Sequence, residues 1–519
     1  MRRFAVLCML AVLAPLGLAQ IPAATPRTIT KAVLEDRIRG GWAGKMIGVS
    51  YGAPTEFRSN GRINEGEITW SPERVSNALG QDDLYVGMTM AETMDRLGFD
   101  ATVEQYGEAF KDSQYDLWHA NAGARRLLNL GIKAPMSGHP NFNIHANDID
   151  FQIEADFIGL MSPGLPQESN KYCERIGRVM NHGDGLYGGM FISGMYTAAY
   201  FERDVRKVVA QGLACLPPES GYARVIRDVL DWSAQYPGDW KKTWQLVEDK
   251  WDTEDPCPDG ALTPFNIDAR INGAYISLGL LYGGLDFGRT LEIAARSGQD
   301  SDCNPSTAGG ILGVMLGYSG IPDGWKRGIP ALADRQFAYT RSSLNDICRS
   351  TLERAFKLVE MAGGTVTGTD VIIPEQAPEA APFEQWDMGV PVARVAVTDD
   401  AWSFRGFSPV AGSTPSDKPV LMRASGAGAE ATLRFTGAAL AVVGGMAPEG
   451  GRADVYLDGQ PARAIDAYVA GRTHDNDVWH VYGLRQSQHT LRIVTRADAD
   501  PRSKGTTISI AEAVVYRAR

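Results

Sequence analysis

Gly80-Gln81-Asp82-Asp83-Leu84 and, about 220 residues later, Ser297-Gly298-Gln299-Asp300-Ser301-Asp302-Cys303-Asn304 decide how this chain reads. Each stretch places two carboxylates immediately before an apolar, glycine-spaced run with helical character. A helix start needs one side-chain cap, and each stretch supplies two acids. Four carboxylates converging at two helix starts form a site for hard divalent cations, which prefer oxygen ligands.

The surroundings of the two stretches are helical. Gly40, Gly44, Gly48 and Gly52 recur every four residues in the segment 30–52, and Gly309, Gly313 and Gly317 repeat the pattern after the second stretch. That period lines one helical face with glycine, where a neighbouring helix can approach closely. Glycine costs about 1 kcal/mol per helix position relative to alanine, so packing or function must offset it. Residues 86–97, 271–282 and 290–296 also read as helices. Strand-like alternation is scarce before residue 362, which predicts an all-α domain over 28–362.

The composition then shifts. Residues 363–391 contain Gly363-Gly364, several threonines and Pro374, Pro378, Pro382 and Pro391, which is linker composition. Beyond it, 431–435, 440–443, 453–457 and 489–494 read as short strands, and Asp458-Gly459 is a hairpin turn signal. Residues 392–519 are therefore expected to form an all-β, jelly-roll-like sandwich.

The remaining bulk features bound the function. With 44% hydrophobic and 22% charged residues the chain is an ordinary globular protein, and its net charge of −11 argues against nucleic acid as a partner. Arg2 and Arg3 precede an apolar run over 4–14, too short to span a bilayer, with Gly17-Leu18-Ala19 before Gln20. This predicts a secretory signal peptide over 1–19, a secreted or periplasmic protein and no membrane span in the mature chain. After its removal Cys173, Cys215, Cys257, Cys303 and Cys348 remain, an odd number, so at least one thiol is unpaired within the chain. One or two disulfides are compatible with an oxidising compartment, with no pairing fixed. There is no CxxC, and no zinc spacing can be assembled from the linear order.

The motifs in combination resemble the ADP-ribosylglycohydrolase family over residues 30 to 360. Its fold is all-α, and its two-metal site is built from a Thr-Asp-Asp-Thr motif before one helix and an Asp-x-Asp-Thr motif before a late one. Arg39-Gly40-Gly41 through Gly48 and Gly52-Ala53-Pro54-Thr55-Glu56 are similar to the family's first helix and acidic loop, and 309–322 to its closing helix and Ile-Pro turn. The resemblance implies that Asp82, Asp83, Asp300 and Asp302 bind one or two divalent ions. Mg²⁺ is the first expectation, with Ca²⁺ or Mn²⁺ as alternatives. Gln81 and Leu84 stand where the family has threonines, and Cys303 replaces the threonine of the second motif. Gln81 still offers a carbonyl oxygen, Leu84 offers nothing, and a thiol is a poor Mg²⁺ ligand. Glu56 matches the loop glutamate that approaches substrate. His182, Gly183, Asp184 and Gly185 stand where the family has a glycine-rich substrate loop.

The expected activity is hydrolysis of a glycosidic bond in a glycan or an ADP-ribosyl conjugate; the alternative is a non-catalytic carbohydrate-binding protein on the same fold. Gly451 to Gly459 resembles galactose-binding-like sandwich modules, which implies a carbohydrate-binding or a purely packing role. The acidic run from Asp148 to Asp156 reads as a solvated helix face or as pocket lining. Trp118, His119 and Asn121 could line a sugar pocket or simply pack. Gly48-Val49-Ser50-Tyr51-Gly52 matches the G-x-S-x-G of serine hydrolases, but that motif needs a strand before the serine, and a helical pattern precedes Ser50.

Overall fold

The helix Lys31–Gly52 starts at Thr30, whose hydroxyl accepts the Val33 N–H, and every residue from Gly40 to Gly52 is buried. A computed structural model describes the protein over residues 26–252, 257–411, 420–471 and 473–519; the expected signal segment lies outside them. The two glycine-lined faces meet each other. A Cβ on Gly40, Gly44, Gly48 or Gly52 would overlap the backbone of Gly313, Gly309, Pro305 or Ser301 respectively. The helix Cys303–Leu316 thus lies backbone to backbone against Lys31–Gly52, and absent side chains are what permit it.

Around this pair the domain is helical, as expected. Asp184–Ala199 and Ala269–Gly283 are buried on nearly all sides, which suits their apolar composition. The helix expected over 86–97 begins earlier, as Asp82–Leu97. The acidic run is not a solvated face: Asp148, Asp150, Gln152, Glu154 and Asp156 are all buried. They sit at two short helices, Asp150–Glu154 and Asp156–Leu160. Local spacing alone could not reveal that other helices cover every side of them.

The segment 363–391 is more than a tether. Asp370–Ile373 pairs antiparallel with both Arg27–Thr30 and Thr365–Val366, which closes a three-stranded sheet on the helical domain. The chain then runs along the helices: the Ala381 N–H reaches the Cys215 carbonyl, and the Tyr187 hydroxyl donates to the Pro382 carbonyl.

The C-terminal region is an antiparallel two-sheet sandwich. One sheet runs Gln460–Asp466, Arg452–Leu457, Ser487–Thr495, Glu430–Gly437 and Trp402–Arg405; the other centres on Ala439–Met446 and Thr507–Arg517. The Asp458-Gly459 hairpin forms with both residues at positive φ (50° and 79°), as its sequence signals. Within the second sheet, Leu440, Val442, Ala513 and Val515 point into the sandwich core, while Ala439, Ala441, Val443, Val514 and Tyr516 face the helical domain. There they meet Ile144, Ala261 and Met388. No helix among the described residues is long and apolar enough to cross a membrane.

Candidate active site

Three elements bring the acids together. Asp82 and Asp83 form the first turn of Asp82–Leu97. Asp300 and Asp302 lie just before Cys303–Leu316, whose glycine face fixes them at the end of Lys31–Gly52. Between these, Gly298 and Gln299 take positive φ (87° and 53°) and turn the chain sharply. The unusual conformation of Gln299 is held by its side chain: Oε1 accepts from the Asn266 N–H and Nε2 donates to the Pro264 carbonyl, both at 2.9 Å. The loop after Lys31–Gly52 docks here too. Thr55 Oγ1 lies 2.8 Å from Ser301 Oγ, and the Phe57 N–H reaches the Gln299 carbonyl.

The carboxylates are not spent on capping. Gln81 and Asp302 occupy the cap positions of the two helices, and neither side chain makes a cap hydrogen bond. Both oxygens of Asp83 and Oδ1 of Asp300 are buried without a hydrogen-bond partner. Such atoms are costly unless a proton or cation compensates them. Burial first, then Asp83 and Glu56, pushes Asp82 up to about 7. Burial likewise pushes Asp300 up to about 8, against the lowering effect of its hydrogen bond with Asp302, with Glu56 and Asp83 adding to the rise. Asp302 is raised well above the usual range by burial and by Asp300. Glu56 is raised by burial and by Asp83. The site thus carries more negative charge than it can hold ionised without a counter-charge.

A metal cation fits that need. Asp82, Asp83 and Cys303 form one group of potential ligands and Asp300, Asp302 and Cys303 a second, with ligand atoms in each within 4.8 Å of one another. Cys303 belongs to both. The unpartnered oxygens suit a hard ion.

Gln81 is partly buried at its helix start, while Leu84 is wholly buried and joins the apolar core. Glu56 is exposed on the loop beside the acids. His182 to Gly185 are engaged within the chain. His182 Nε2 lies 3.2 Å from Glu384, the Gly183 N–H donates to Glu384, and Asp184 accepts from the Tyr222 N–H. Their partner Glu384 comes from the segment read as a linker, which nothing in the local sequence foretold. Ser50 lies inside a helix and its Oγ accepts the Ala78 N–H, so it is no nucleophile elbow. Asn121 is buried against Glu154, whereas Trp118 is exposed. Cys173, Cys215, Cys257, Cys303 and Cys348 are buried thiols rather than disulfides.

The sequence reading missed Lys45. It is fully buried, 2.9 Å from Asp156 and 3.6 Å from Asp83, and it donates to the Ile153 carbonyl. Tyr196 completes the network by donating to Asp156. The available signal was a single charge inside the apolar run Gly40 to Gly52, since a buried lysine requires partners.

The model of the family described as ADP-ribosylglycohydrolase matches residues 30–360. A search of curated proteins found no match. Among solved structures, an ADP-ribosylglycohydrolase-related protein complex is similar over 62% of this chain and 98% of its own, at 16% identity and a TM-score of 0.41. A family two carbohydrate esterase from Cellvibrio japonicus is similar over 24% of this chain and 32% of its own, at 15% identity and TM-score 0.19. The CBM36-1 domain of a multidomain xylanase from the hindgut metagenome of Trinervitermes trinervoides is similar over 24% and 94%, at 12% identity and TM-score 0.18.

Proposed function

Because the chain belongs to the ADP-ribosylglycohydrolase family, we propose that it is a secreted, metal-dependent hydrolase that cleaves a glycosidic bond, in a glycan in preference to an ADP-ribosyl conjugate. The observation that carries this reading is the set of buried carboxylate oxygens of Asp83 and Asp300 that accept no hydrogen bond, drawn from two distant stretches, with one lysine, Lys45, 3.6 Å from Asp83. Asp82, Asp83, Asp300 and Asp302 would hold one or two divalent ions, Mg²⁺ first, with Gln81 and Cys303 at the margin. Bound there, the cation would orient sugar hydroxyls and offset charge as the bond breaks through an oxocarbenium-like state.

The chain's own groups divide the remaining work. Glu56 sits on a loop near Asp83, and burial and then the Asp83 charge raise its carboxyl above the ordinary glutamate range. As an acid it would protonate the leaving oxygen; as a base it would orient water. Thr55 and Ser301 keep that loop against the second acidic stretch. Lys45 balances part of the Asp83 charge from the interior without donating a hydrogen bond to it. The preference for a glycan rests on the expected signal peptide and on the sandwich.

A panel of aryl glycosides, oligosaccharides and ADP-ribosylated peptides, assayed with and without EDTA, tests this. Expected are turnover of a glycoside that EDTA abolishes and Mg²⁺ restores, and a loss of about 10²–10⁴-fold in Glu56→Gln. Turnover confined to ADP-ribosylated substrates would sink the glycan assignment. Leu84, buried and without an oxygen to offer, favours a second reading, a non-catalytic carbohydrate-binding protein. Glycan binding that survives Asp82→Ala and Asp300→Ala, with no hydrolysis by the parent, would establish that one instead.

A further inference from the structure

Four side chains from three separate stretches of sequence meet where the helical domain touches the sandwich. His119, His145, Cys257 and Asp259 each offer a ligand atom within 4.8 Å of the others. Their donor set differs from that of the acidic centre. It holds two imidazoles and a thiol, which suit a borderline-soft ion such as Zn²⁺ and not Mg²⁺ or Ca²⁺. The linear order concealed it, because no two of the imidazole and thiol ligands lie at a zinc-like spacing.

The geometry is compatible with tetrahedral coordination. With zinc–ligand bonds of about 2.0–2.3 Å, ligand atoms sit about 3.3–3.8 Å apart along the edges of a tetrahedron. His145 Nδ1 lies 3.2 Å from Cys257 Sγ, and His119 Nδ1 lies 3.7 Å from Asp259 Oδ2. His119 Nδ1 is buried and has no hydrogen-bond partner. His119 is also held at φ 46°, in the left-handed region that a non-glycine residue rarely occupies. That conformation occurs at the start of the helix His119–Asn129, where Asp150 accepts the N–H groups of Ala120 and Asn121. Asp148 stands beside both rings, its Oδ2 2.8 Å from His145 Nδ1 and 3.8 Å from His119 Nδ1, while its own Oδ1 is buried and unpartnered. Those are the nitrogens that would face the ion, so Asp148 would give up its His145 hydrogen bond and stand beside the cation when it binds, and the ring nitrogen left for an orienting carboxylate is His145 Nε2.

The second domain fixes the fourth side of the cluster. Arg394, on the sandwich strand Val390–Ala396, donates to the carbonyls of Pro258 and Ala261 and pairs with Glu512. Asp477 approaches His145 Nε2 at 3.7 Å.

We propose that His119, His145, Cys257 and Asp259 form a site for a divalent transition ion, Zn²⁺ first, with ligands distinct from those of the acidic centre and tying the 257–261 loop to the helical domain beneath the sandwich. The site is independent of the hydrolase reading, since it uses none of that centre's ligands.

The full chain, stripped of metal and reloaded with Co²⁺, tests it. Thiolate coordination to Co²⁺ gives a near-ultraviolet charge-transfer band, and tetrahedral geometry gives intense visible bands. Both are expected in the wild type and in Asp82→Ala/Asp300→Ala. The charge-transfer band is expected to vanish in Cys257→Ser and to persist in Cys303→Ser. Zinc content by mass spectrometry should fall by about one equivalent in His119→Ala. A band lost in Cys303→Ser but kept in Cys257→Ser would overturn the proposal by moving the thiolate ligand to the acidic centre. A wild-type Co²⁺ spectrum without the charge-transfer band, or zinc content unchanged in His119→Ala and Cys257→Ser, would also overturn it.

Discussion

Lys45 shows how one side chain supports the acidic centre from behind. Burial pulls its ammonium toward neutrality, but the carboxylates of Asp156 and Asp83 outweigh this and keep it charged. Replacing it with methionine keeps an apolar stem of similar length and leaves two buried carboxylates without their cation. Breaking one side of a buried pair costs about 3–5 kcal/mol, so Lys45→Met is expected to lower unfolding free energy by that amount in urea titrations. Removing the second charge as well, in Lys45→Met/Asp156→Leu, should recover part of the loss, because an apolar pair needs no counter-ion. If the double variant is no more stable than the single one, the cost does not come from the orphaned carboxylate. The four aspartates were legible in the sequence because doublets before helix starts exceed what capping needs. Lys45 was not, because its partners Asp83 and Asp156 lie 38 and 111 residues away.

At the scale of the elements, the two glycine faces couple stability to the site. Gly48 meets the backbone of Pro305 and Ser306, one turn from Asp302. Alanine there should gain about 1 kcal/mol of helix propensity, yet its Cβ has no space, and its neighbours are backbone atoms that cannot swing aside. Gly48→Ala is therefore expected to destabilise by about 1–3 kcal/mol, the usual cost of overpacking. It should also lower kcat by displacing Asp300 and Asp302. The measurement is a denaturation midpoint alongside the rate on whichever substrate the panel identifies. By contrast Gly98, which ends Asp82–Leu97 at φ 90° with open space where a Cβ would sit, should lose stability through backbone strain alone and keep its kcat. Gly98→Ala matching Gly48→Ala in kcat would contradict the positioning role. Period-four glycines are readable in each helix, and so is the need for a close neighbour. That the two faces are each other's neighbour is a tertiary fact, as is the burial of the acids from Asp148 to Asp156.

Across the whole molecule, the change from a helical region to a sandwich was legible in composition, but the relation between the halves was not. Proline and glycine content near residue 374 reads as a tether, whereas Glu384 and the strand Asp370–Ile373 bind that segment to the helical domain. The strand Thr507–Arg517 escaped the sequence reading because it is buried along nearly its whole length. A strand covered on both faces loses the apolar–polar alternation that marks an ordinary one. That double burial makes the sandwich a fused part of the fold, and it has a thermodynamic consequence. The outer face of Ala439, Ala441, Val443, Val514 and Tyr516 gives up its burial if the halves separate. Apolar area returned to water costs about 25 cal/mol per Å², so neither half should unfold alone. Scanning calorimetry of the wild-type chain is expected to show one cooperative transition. Ala441→Asp puts an unpaired charge into that fully buried face without touching the sandwich core. It should lower the first transition and split it in two, with limited proteolysis then cutting within 374–390. Two transitions already present in the wild type, or an Ala441→Asp scan superimposable on it, would show the sandwich to be an independent module carried on a tether.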